Sequence, residues 1–210
     1  MKYKAVLFLT CFVIFNAGMV SKAFAEQPES SFYAYGGINV GAQTIDLDPS
    51  YLRKTYGNSG GGVQVGAGFV LTDKFNIELG YSGINVASYL SESEDSTFNM
   101  FTHQFAVRAI YHDAINKKMD WYAFGGGGMG VVQFTSTGPL YRDDDYYSAL
   151  VVTAGGGITL YRKDNWFVGA EGSYAQFNFS KRDPVDERTY NYSPYAILGS
   201  FRFGYYFPSD

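Results

Sequence analysis

The two histidines of this 210-residue chain are its first candidates for acid–base chemistry. Nucleophilic catalysis requires a Ser, Thr or Cys beside such a base, and a third group that orients the base. Neither His103 nor His112 is followed two residues later by a serine, the spacing at which a β-strand aligns two side chains on one face. We expect His103 on the apolar face of a strand and His112 in a short turn, so the sequence predicts no enzyme.

Metal and cofactor sites are not indicated either. The one cysteine, Cys11, lies in an N-terminal apolar run, and no pair of His or Cys residues has ligand spacing. The acidic run Asp143–Asp145 lacks the interrupted spacing, glycine turn and distal glutamate of a calcium loop, so we interpret it as a solvated tip. The glycines at 125–128 precede neither a Lys-Ser/Thr pair nor a helical pattern, unlike those of a phosphate loop. The sequence therefore predicts no catalytic residue, metal site or cofactor.

Four charged residues stand alone in otherwise uncharged segments. Glu78 comes three residues after the start of one segment, and Arg108 comes three residues before the end of the next. Glu171 and Arg202 repeat this arrangement five residues from the ends of another pair of segments. Neighbouring antiparallel strands bring such positions level with each other. The spacing predicts two interior ion pairs, Glu78–Arg108 and Glu171–Arg202, near one rim of the protein.

These charges belong to segments in which apolar residues alternate with small or polar residues. A period of two indicates β-strands rather than helices, and it recurs from Phe32 onward in segments of about ten residues. Eight strands are predicted, at 32–45, 61–71, 75–82, 99–111, 121–134, 148–161, 166–177 and 194–207. Short, turn-prone connections lie at 72–74, 112–120 and 162–165, and long ones lie at 46–60, 83–98, 135–147 and 178–193. Short turns therefore occupy one rim of the sheet and long loops the other.

The charge distribution decides which face of these strands meets water. The composition is 46% hydrophobic, 19% aromatic and 17% charged, which excludes a disordered chain. The eight predicted strands contain only the four charged residues above, far fewer than a water-facing surface of a soluble barrel carries. We therefore expect the apolar face to meet lipid and the glycine-rich face to line an interior. Strand 121–134 is ambiguous, and we favour an outward face of Trp121, Ala123, Met129 and Val131.

The N-terminal segment has the organisation of a secretory signal peptide. Two lysines precede an apolar run at 5–20, and Ala23-Phe24-Ala25 is a small-x-small cleavage site. We predict that residues 1–25 are cleaved and that 26–210 form one domain; a single anchoring helix is the alternative. Loss of the three lysines of this segment changes the formal net charge from −4 to −7, which is 13 basic minus 20 acidic residues. A nucleic-acid partner is therefore not expected.

Large aromatic residues mark the rim with the short turns. Phe75, Tyr111, Trp121 and Trp166 each fall at a strand end beside a short connection, and Phe207 ends the last strand. Aromatic rings suit the headgroup level of a bilayer, particularly when they carry a polar edge. We predict that these residues form an interfacial girdle; ordinary core packing is the alternative.

Two runs of residues carry a resemblance to a known family. They are Asn76–Tyr81 in the third strand and Phe201–Phe207 in the last, where aromatic residues occur at every second position. With the eight-strand pattern from about 32 to 207, they resemble the outer-membrane β-barrel family typified by the transmembrane domain of outer-membrane protein A and by the opacity proteins. The resemblance implies an all-β fold: an eight-stranded antiparallel up-and-down transmembrane β-barrel with short periplasmic turns and four long extracellular loops. It also implies the outer membrane of a Gram-negative bacterium, reached by signal-peptide-directed export.

The last strand resembles the C-terminal signal that the barrel-assembly machinery recognises in this family. The residues of this membrane-insertion signal are Phe201, Phe203, Tyr205 and Phe207, and the segment Pro208–Asp210 that follows departs from a strictly terminal phenylalanine. The family resemblance also suggests that the interior ion pairs gate a narrow conduit. The alternative, which we favour, is that they neutralise and fill a polar core, because eight strands enclose only side chains or one small ligand.

The long connections indicate contact with partners outside the cell. Together they carry a net charge of −5, and they contain Tyr51, Tyr56, Tyr89, Tyr141, Tyr146, Tyr147, Tyr190 and Tyr192. Tyrosine provides a large contact area at low entropic cost, which suits recognition, although these rings can equally pack on one another. We expect the protein to have a structural role and a surface-interaction role of an adhesive or antigen-like kind. A narrow small-solute channel or lipophile conduit is the alternative, and a lipid-modifying enzyme is third. The expected partners are outer-membrane lipid and lipopolysaccharide, the barrel-assembly machinery, and an extracellular protein or host-surface ligand.

Overall fold

The computed structural model describes residues 32–45, 56–90, 96–137, 144–161, 165–182 and 189–208. Within these ranges the chain forms β1 (Phe32–Ile45), β2 (Tyr56–Val70), β3 (Phe75–Leu90), β4 (Ser96–Asn116), β5 (Met119–Thr137), β6 (Asp144–Tyr161), β7 (Trp166–Arg182), β8 (Thr189–Tyr192) and β9 (Tyr195–Phe207). No helix among the described residues has the length and apolar character needed to cross a membrane. The predicted signal peptide, residues 1–25, lies outside the described residues.

Antiparallel pairing closes these strands into a barrel. Each strand from β1 to β6 pairs with the next one along the chain, β7 pairs with β9, and β9 returns to β1. Neighbours in sequence are therefore neighbours in the sheet, which confirms the predicted up-and-down topology. A closed sheet satisfies the N–H and C=O groups of its strands internally, and lipid offers no other partner for them.

β8 and β9 are two parts of one barrel strand that is interrupted at Pro194. The pairs Gln176–Tyr195 and Phe179–Tyr192 keep a single register with β7 across the interruption. Proline has no N–H to donate to the sheet, although the Pro194 carbonyl still accepts a 2.9 Å hydrogen bond from β7. The barrel therefore has the eight strands that the sequence predicts.

Several strands extend further toward the long loops than the alternation predicts. Residues of the predicted long loops that form strand are 56–60, 83–90, 96–98, 135–137, 144–147, 178–182 and 189–192. These extensions have polar outward positions, such as Asn85 and Asn178, so the apolar alternation that marks a lipid-facing strand ends before the strand itself does. Apart from Ser193, the rest of the predicted loops, at 46–55, 91–95, 138–143 and 183–188, lies outside the described residues.

The hairpin between β4 and β5 corrects the prediction for His112. The sequence predicts a turn at 112–120, but the chain reverses at Lys117–Lys118, where the backbone N–H of Lys118 donates a 2.9 Å hydrogen bond to the Asn116 side chain. His112 lies within β4, and its side chain is buried. His112 and Asp120 of this segment are inward-facing strand residues, which sequence alone does not distinguish from the polar residues of a turn.

The outer face of the barrel is an apolar belt. Large apolar side chains that a soluble protein would bury are more than half exposed, among them Val63, Leu79, Phe105, Met129 and Leu150. On β5, Met129 and Val131 face outward and Phe124 is buried, which agrees with the outward face favoured from the sequence. Exposed side chains of this kind are stable against hydrocarbon rather than against water.

The aromatic residues of the predicted girdle lie together at the short-turn rim. The ring centroid of Tyr111 is 5.2 Å from that of Phe75 and 5.6 Å from that of Trp121. On the other side of the barrel, Trp166 stacks on Phe203 with centroids 4.8 Å apart. These clusters lie at one end of the belt, and their contact with lipid headgroups stays a prediction.

Glycines on the inward face make room for the rings that fill the barrel. A Cβ atom at Gly204 would overlap the ring of Phe167, and one at Gly68 would overlap the ring of Tyr33. An outward glycine differs: a Cβ atom at Gly172 would meet nothing within 4 Å. Gly68 and Gly204 are therefore required to be glycine, because a ring lies against the backbone at each of them. No such requirement applies to Gly172.

Candidate functional site

Four buried charged side chains meet in the lumen. Arg108 contacts Glu78, and its Nη1 lies 3.0 Å from Oε1 of Glu171. Arg202 also contacts Glu78, and its Nη1 lies 3.1 Å from Oε2 of Glu171. All four residues are more than nine-tenths buried. Each arginine thus binds both carboxylates, and we call this network the charge cluster.

The strand register accounts for the cluster and corrects the predicted geometry. Glu78 lies directly opposite Arg108, at the level that the spacing predicts. Arg202 lies opposite Gly169 rather than Glu171, so its side chain reaches Glu171 diagonally. The ends of β7 and β9 are offset by two residues at the rim, as expected from the stagger of strands in a barrel. The two pairs predicted from sequence are therefore one network, because β4 and β7 meet across the lumen.

Three tyrosine hydroxyls complete the charge cluster. Tyr33 donates to Oε1 of Glu78 at 2.8 Å, and Tyr35 donates to Oε2 of the same residue at 3.2 Å. Tyr122 donates to Oε2 of Glu171 at 3.1 Å. Together with the arginines, these hydroxyls give all four carboxylate oxygens a donor. Sequence reasoning missed the tyrosines, and the signal that identifies them is their inward parity on strands that surround the charges.

The charge cluster is suited to neutralising a buried core rather than to acid–base chemistry. It holds two positive and two negative side chains, and the Cζ atom of Arg202 lies 3.7 Å from the ring centroid of Tyr35. A general base needs an oxygen or nitrogen directed at a substrate, whereas the carboxylate oxygens here are already bound. Removal of one partner would leave a buried charge uncompensated, which costs about 3–5 kcal/mol.

The charge cluster separates two cavities in the lumen. The long-loop cavity has Arg108 and Glu171 in its wall. The short-turn cavity has Glu78 and Arg202 in its wall. Other polar side chains in the walls include Asn39, Gln64, Ser82, Gln104, Thr153, Ser173 and Ser200 in the first, and Asn76, His112, Asp120 and Thr159 in the second. The cluster thus stands between two polar chambers.

An apolar layer fills the lumen at the end near the long loops. This apolar plug consists of Ile84, Met100, Val132, Ala149, Val151, Ala175, Phe177, Phe179, Ala196 and Leu198. Met100 and Val132 have no exposed surface. The rings of Tyr147 and Tyr192 stack on Phe179 with centroid distances of 5.0 and 5.3 Å. At this level the interior is mainly apolar, which differs from the polar lumen expected along the whole barrel, although the buried Gln43 and Thr102 lie level with plug residues.

The short-turn rim carries an ion pair of its own outside the membrane-spanning part. Lys74 Nζ lies 3.3 Å from Oδ2 of Asp113, and the lysine is well exposed. The hydrogen bond to Asp113 and its negative charge raise the pKa of Lys74. An exposed pair of this kind contributes little to stability, so the charge cluster is the electrostatically important group.

The other residues singled out in the sequence lie on the outer wall or outside the described ranges. His103 faces outward, with Nδ1 2.8 Å from the Tyr81 hydroxyl. The residues of the predicted insertion signal all lie on the outward face of β9: Phe201, Phe203, Tyr205 and Phe207. The described residues contain no group of three or more His, Cys, Asp or Glu that could hold a metal ion. Cys11 and Asp143 belong to the part of the chain that is not described.

Solved structures share this fold at low sequence identity. Neisserial surface protein A is 13% identical, with a TM-score of 0.55 over 84% of this chain and 97% of its own. A major outer membrane protein from Thermus thermophilus is 12% identical, with a TM-score of 0.50 over 83% and 99%. Ail, the attachment invasion locus protein of Yersinia pestis, is 16% identical, with a TM-score of 0.45 over 83% and 99%. At these identities the likeness to the first two structures shows the fold alone.

Comparison with sequence families gives a match over nearly the whole chain. The family described as outer membrane protein beta-barrel domain matches residues 9–207. No curated protein sequence gives a match. With the closed eight-stranded barrel and its apolar belt, the family match identifies the chain as a member of the outer-membrane β-barrel domain family, located in the outer membrane of a Gram-negative bacterium.

Proposed function

We propose that this chain is a closed barrel that displays its long loops to an extracellular partner, in an adhesive or antigen-like role. The observation that carries the proposal is the apolar plug, in which Met100 and Val132 are completely buried. A polar solute that enters from the long-loop side would meet this mainly apolar layer and then the neutral charge cluster. A barrel filled in two layers is a rigid scaffold rather than a passage, so recognition is left to its loops.

The strands on the long-loop side support this role because they form stems beyond the apolar belt. Tyr146 of β6 is 63% exposed, and its hydroxyl accepts a 2.9 Å hydrogen bond from Gln133 of β5. On the neighbouring stem, Ser193 donates a 3.0 Å hydrogen bond to the side chain of Asn178. Hydrogen-bonded stems limit the conformational freedom of the loops between them, and this reduces the conformational entropy that the loops lose when a partner binds.

Replacement of the loop tips tests the proposal. Segments 91–95, 138–143 and 183–188 are replaced together by Gly-Ser linkers of equal length, and binding of the expressing bacteria to cultured epithelial cells is measured. We expect binding to fall to the level of bacteria without the protein, because Tyr141 and the acidic residues of these tips are lost. A matched control replaces the turn 72–74 at the opposite rim and retains binding.

The fold of each loop variant is checked by its heat-modifiable migration on a gel, which reports a closed barrel. A folded loop variant that binds as well as the unaltered chain would refute the adhesive role. Loss of binding in the 72–74 control with its barrel intact would also contradict the proposal, since that rim faces the periplasm in the predicted topology.

A narrow conduit is the second candidate function, and the two polar cavities favour it. They lie in series along the lumen on either side of the charge cluster. If the cluster rearranged, polar walls would extend through much of the barrel. The apolar plug opposes this function because it blocks the end of the lumen beyond the long-loop cavity. Conductance measurements distinguish the two functions.

A further inference from the structure

An uncharged polar patch lies on the outer wall of the barrel, where β7 meets β8 and β9. Tyr174, Gln176 and Asn178 occupy successive outward positions of β7, and Tyr195 of β9 lies directly opposite Gln176. Ser193, between β8 and β9, is exposed and bonds to Asn178. We call these five residues the outer polar patch. The charge cluster and the apolar plug do not involve them.

The outer polar patch combines aromatic rings with oriented amide groups. The rings of Tyr174 and Tyr195 stack with centroids 5.6 Å apart, and each residue is 37% exposed. Ser193 Oγ donates to Oδ1 of Asn178 at 3.0 Å, and Gln176 Nε2 donates to the same oxygen at 3.4 Å. These bonds hold the Asn178 amide through its oxygen, so they use neither N–H group of its Nδ2. The patch therefore presents partly exposed rings beside amide donors that are already positioned.

Strand geometry gives the height of the outer polar patch in the membrane. Counted along β7 from Trp166 of the predicted girdle, Tyr174 is eight residues away and Asn178 is twelve. At about 3.3 Å per residue and a strand tilt of about 40°, these residues lie about 20 and 30 Å above Trp166. The apolar band of such a barrel is about 25 Å tall. The patch therefore spans the outer edge of the band, where acyl chains end and the headgroups of the outer leaflet begin.

We propose that the outer polar patch binds the sugar headgroup of a glycolipid in the outer leaflet. Amide and hydroxyl groups form hydrogen bonds with sugar hydroxyls, and the C–H face of a sugar ring packs on an aromatic ring. The five side chains carry no charge, whereas recognition of a phosphate group would call for arginine or lysine.

Continuity with the apolar belt favours a lipid over a soluble sugar as the occupant. Ile197, which lies directly opposite Tyr174, is 58% exposed on the outer wall. A glycolipid whose headgroup lies on the patch therefore has its acyl chains against the belt, and both parts of the molecule are bound. The site lies on the lipid-facing wall, so it does not depend on the adhesive role of the loops.

NMR of side-chain amides tests the site in the chain folded in phosphocholine micelles, since detergents with sugar headgroups would compete. The probe is monophosphoryl lipid A, added at increasing mole fraction. It is expected to shift the side-chain N–H signals of Gln176 and Asn178 and to leave that of Gln133, an outward amide on β5, unchanged. Phosphatidylethanolamine, which lacks a sugar, and glucosamine, which lacks acyl chains, are each expected to shift none of these signals.

Three outcomes of this titration would overturn the proposal. The first is no shift of Gln176 and Asn178 with lipid A. The second is an equal shift with phosphatidylethanolamine or with glucosamine, which would show that the patch does not select a sugar carried by a lipid. The third is binding of diphosphoryl lipid A alone, which would show that a phosphate group is recognised instead.

Matched variants separate recognition from folding, with the Gln176 signal as the measure of affinity. Asn178→Ala is expected to weaken lipid A binding about fivefold, the effect of one hydrogen bond of ordinary net strength. Tyr195→Leu keeps an apolar side chain but removes the ring, and a similar loss is expected. Gln133→Ala removes an outward amide elsewhere and should leave the affinity unchanged. Heat-modifiable migration verifies that each variant is folded.

Folded Asn178→Ala and Tyr195→Leu variants that bind lipid A as tightly as the unaltered chain would exclude the site. A loss in Gln133→Ala as large as that in Asn178→Ala would also contradict the proposal, because the lipid would then bind without selecting the outer polar patch.

Discussion

Arg202 holds the charge cluster together through both of its terminal nitrogens. Nη1 binds Glu171, Nη2 binds Glu78, and the guanidinium lies over the ring of Tyr35. These contacts compensate the two buried carboxylates in part, with Arg108 supplying the rest. In a low-dielectric interior, loss of one positive charge leaves a net negative charge that the protein cannot solvate.

We therefore predict that Arg202→Ala lowers the free energy of unfolding by about 3–5 kcal/mol. Urea unfolding in lipid vesicles, followed by tryptophan fluorescence, measures the change. The inward neighbour Ser200 provides the control, since Ser200→Ala removes one 2.8 Å hydrogen bond to Asn39 and should cost only about 1 kcal/mol. Adding Glu171→Gln to Arg202→Ala restores neutrality and should recover part of the loss. Equal midpoints for Arg202→Ala and Ser200→Ala would contradict this account.

At the same scale, sequence reasoning identified the charged residues but not their network. That Glu78 and Arg108 lie opposite each other follows from counting inward from the predicted strand ends, because Phe75 and Tyr111 are paired across β3 and β4. The same count fails for Glu171 because the ends of β7 and β9 are staggered, and stagger depends on closure of the whole barrel. The contact of Arg108 with Glu171 joins strands that are not neighbours in the sheet, so no pairwise spacing reveals it.

At the scale of elements, glycines on the inward face of a strand and glycines on its outward face have different surroundings. Gly204 on β9 faces inward, where Phe167 of the adjacent strand lies against its backbone. Gly172 on β7 faces outward into open space. Composition alone does not distinguish the two glycines. The consequence of adding a side chain depends on whether a ring occupies the neighbouring space, and composition does not show this.

This contrast predicts different effects of the same substitution. Gly204→Ala should destabilise the barrel by about 1–3 kcal/mol, because the added methyl group displaces the Phe167 ring in a packed interior. Gly172→Ala should leave stability unchanged or slightly raised, since alanine loses less conformational freedom on folding. The urea midpoints of the two variants test this. A larger loss in Gly172→Ala than in Gly204→Ala would reverse the assignment of inward and outward faces.

Strand ends were less predictable than strand existence. The alternation located all eight strands, since lipid on one side and a filled lumen on the other impose a period of two. The predicted strands end too early where the outward residues become polar, as at Asn85. The strand segment that contains the inward polar residue His112 was predicted as a turn. Both errors have one cause: hydrophobic alternation reports the environment of a strand rather than its hydrogen bonding.

At the scale of the whole molecule, the lumen is layered along its axis. Aromatic rings around Tyr33 and Tyr206 lie toward the short turns, and the charge cluster and its cavities come next. The apolar plug fills the end toward the long loops. The sequence predicts the polar layers from the inward charges and glycines. It does not predict the plug, because Val151 lies between the apolar residues Leu150 and Val152, where the alternation is lost. Around Phe177 the alternation is reversed, since the buried ring lies between the outward polar residues Gln176 and Asn178.

Layering leads to a prediction about ion flow. The unaltered chain in planar lipid bilayers should show no discrete conductance, because the charge cluster and the apolar plug obstruct the lumen independently. Glu171→Ala opens the cluster but leaves the plug, which excludes ions because they lose hydration in an apolar layer. This variant should therefore show no discrete conductance either. Discrete conductance in Glu171→Ala but not in the unaltered chain would show that the cluster alone closes the lumen, and the conduit would then replace the surface-interaction barrel as the better account of this protein.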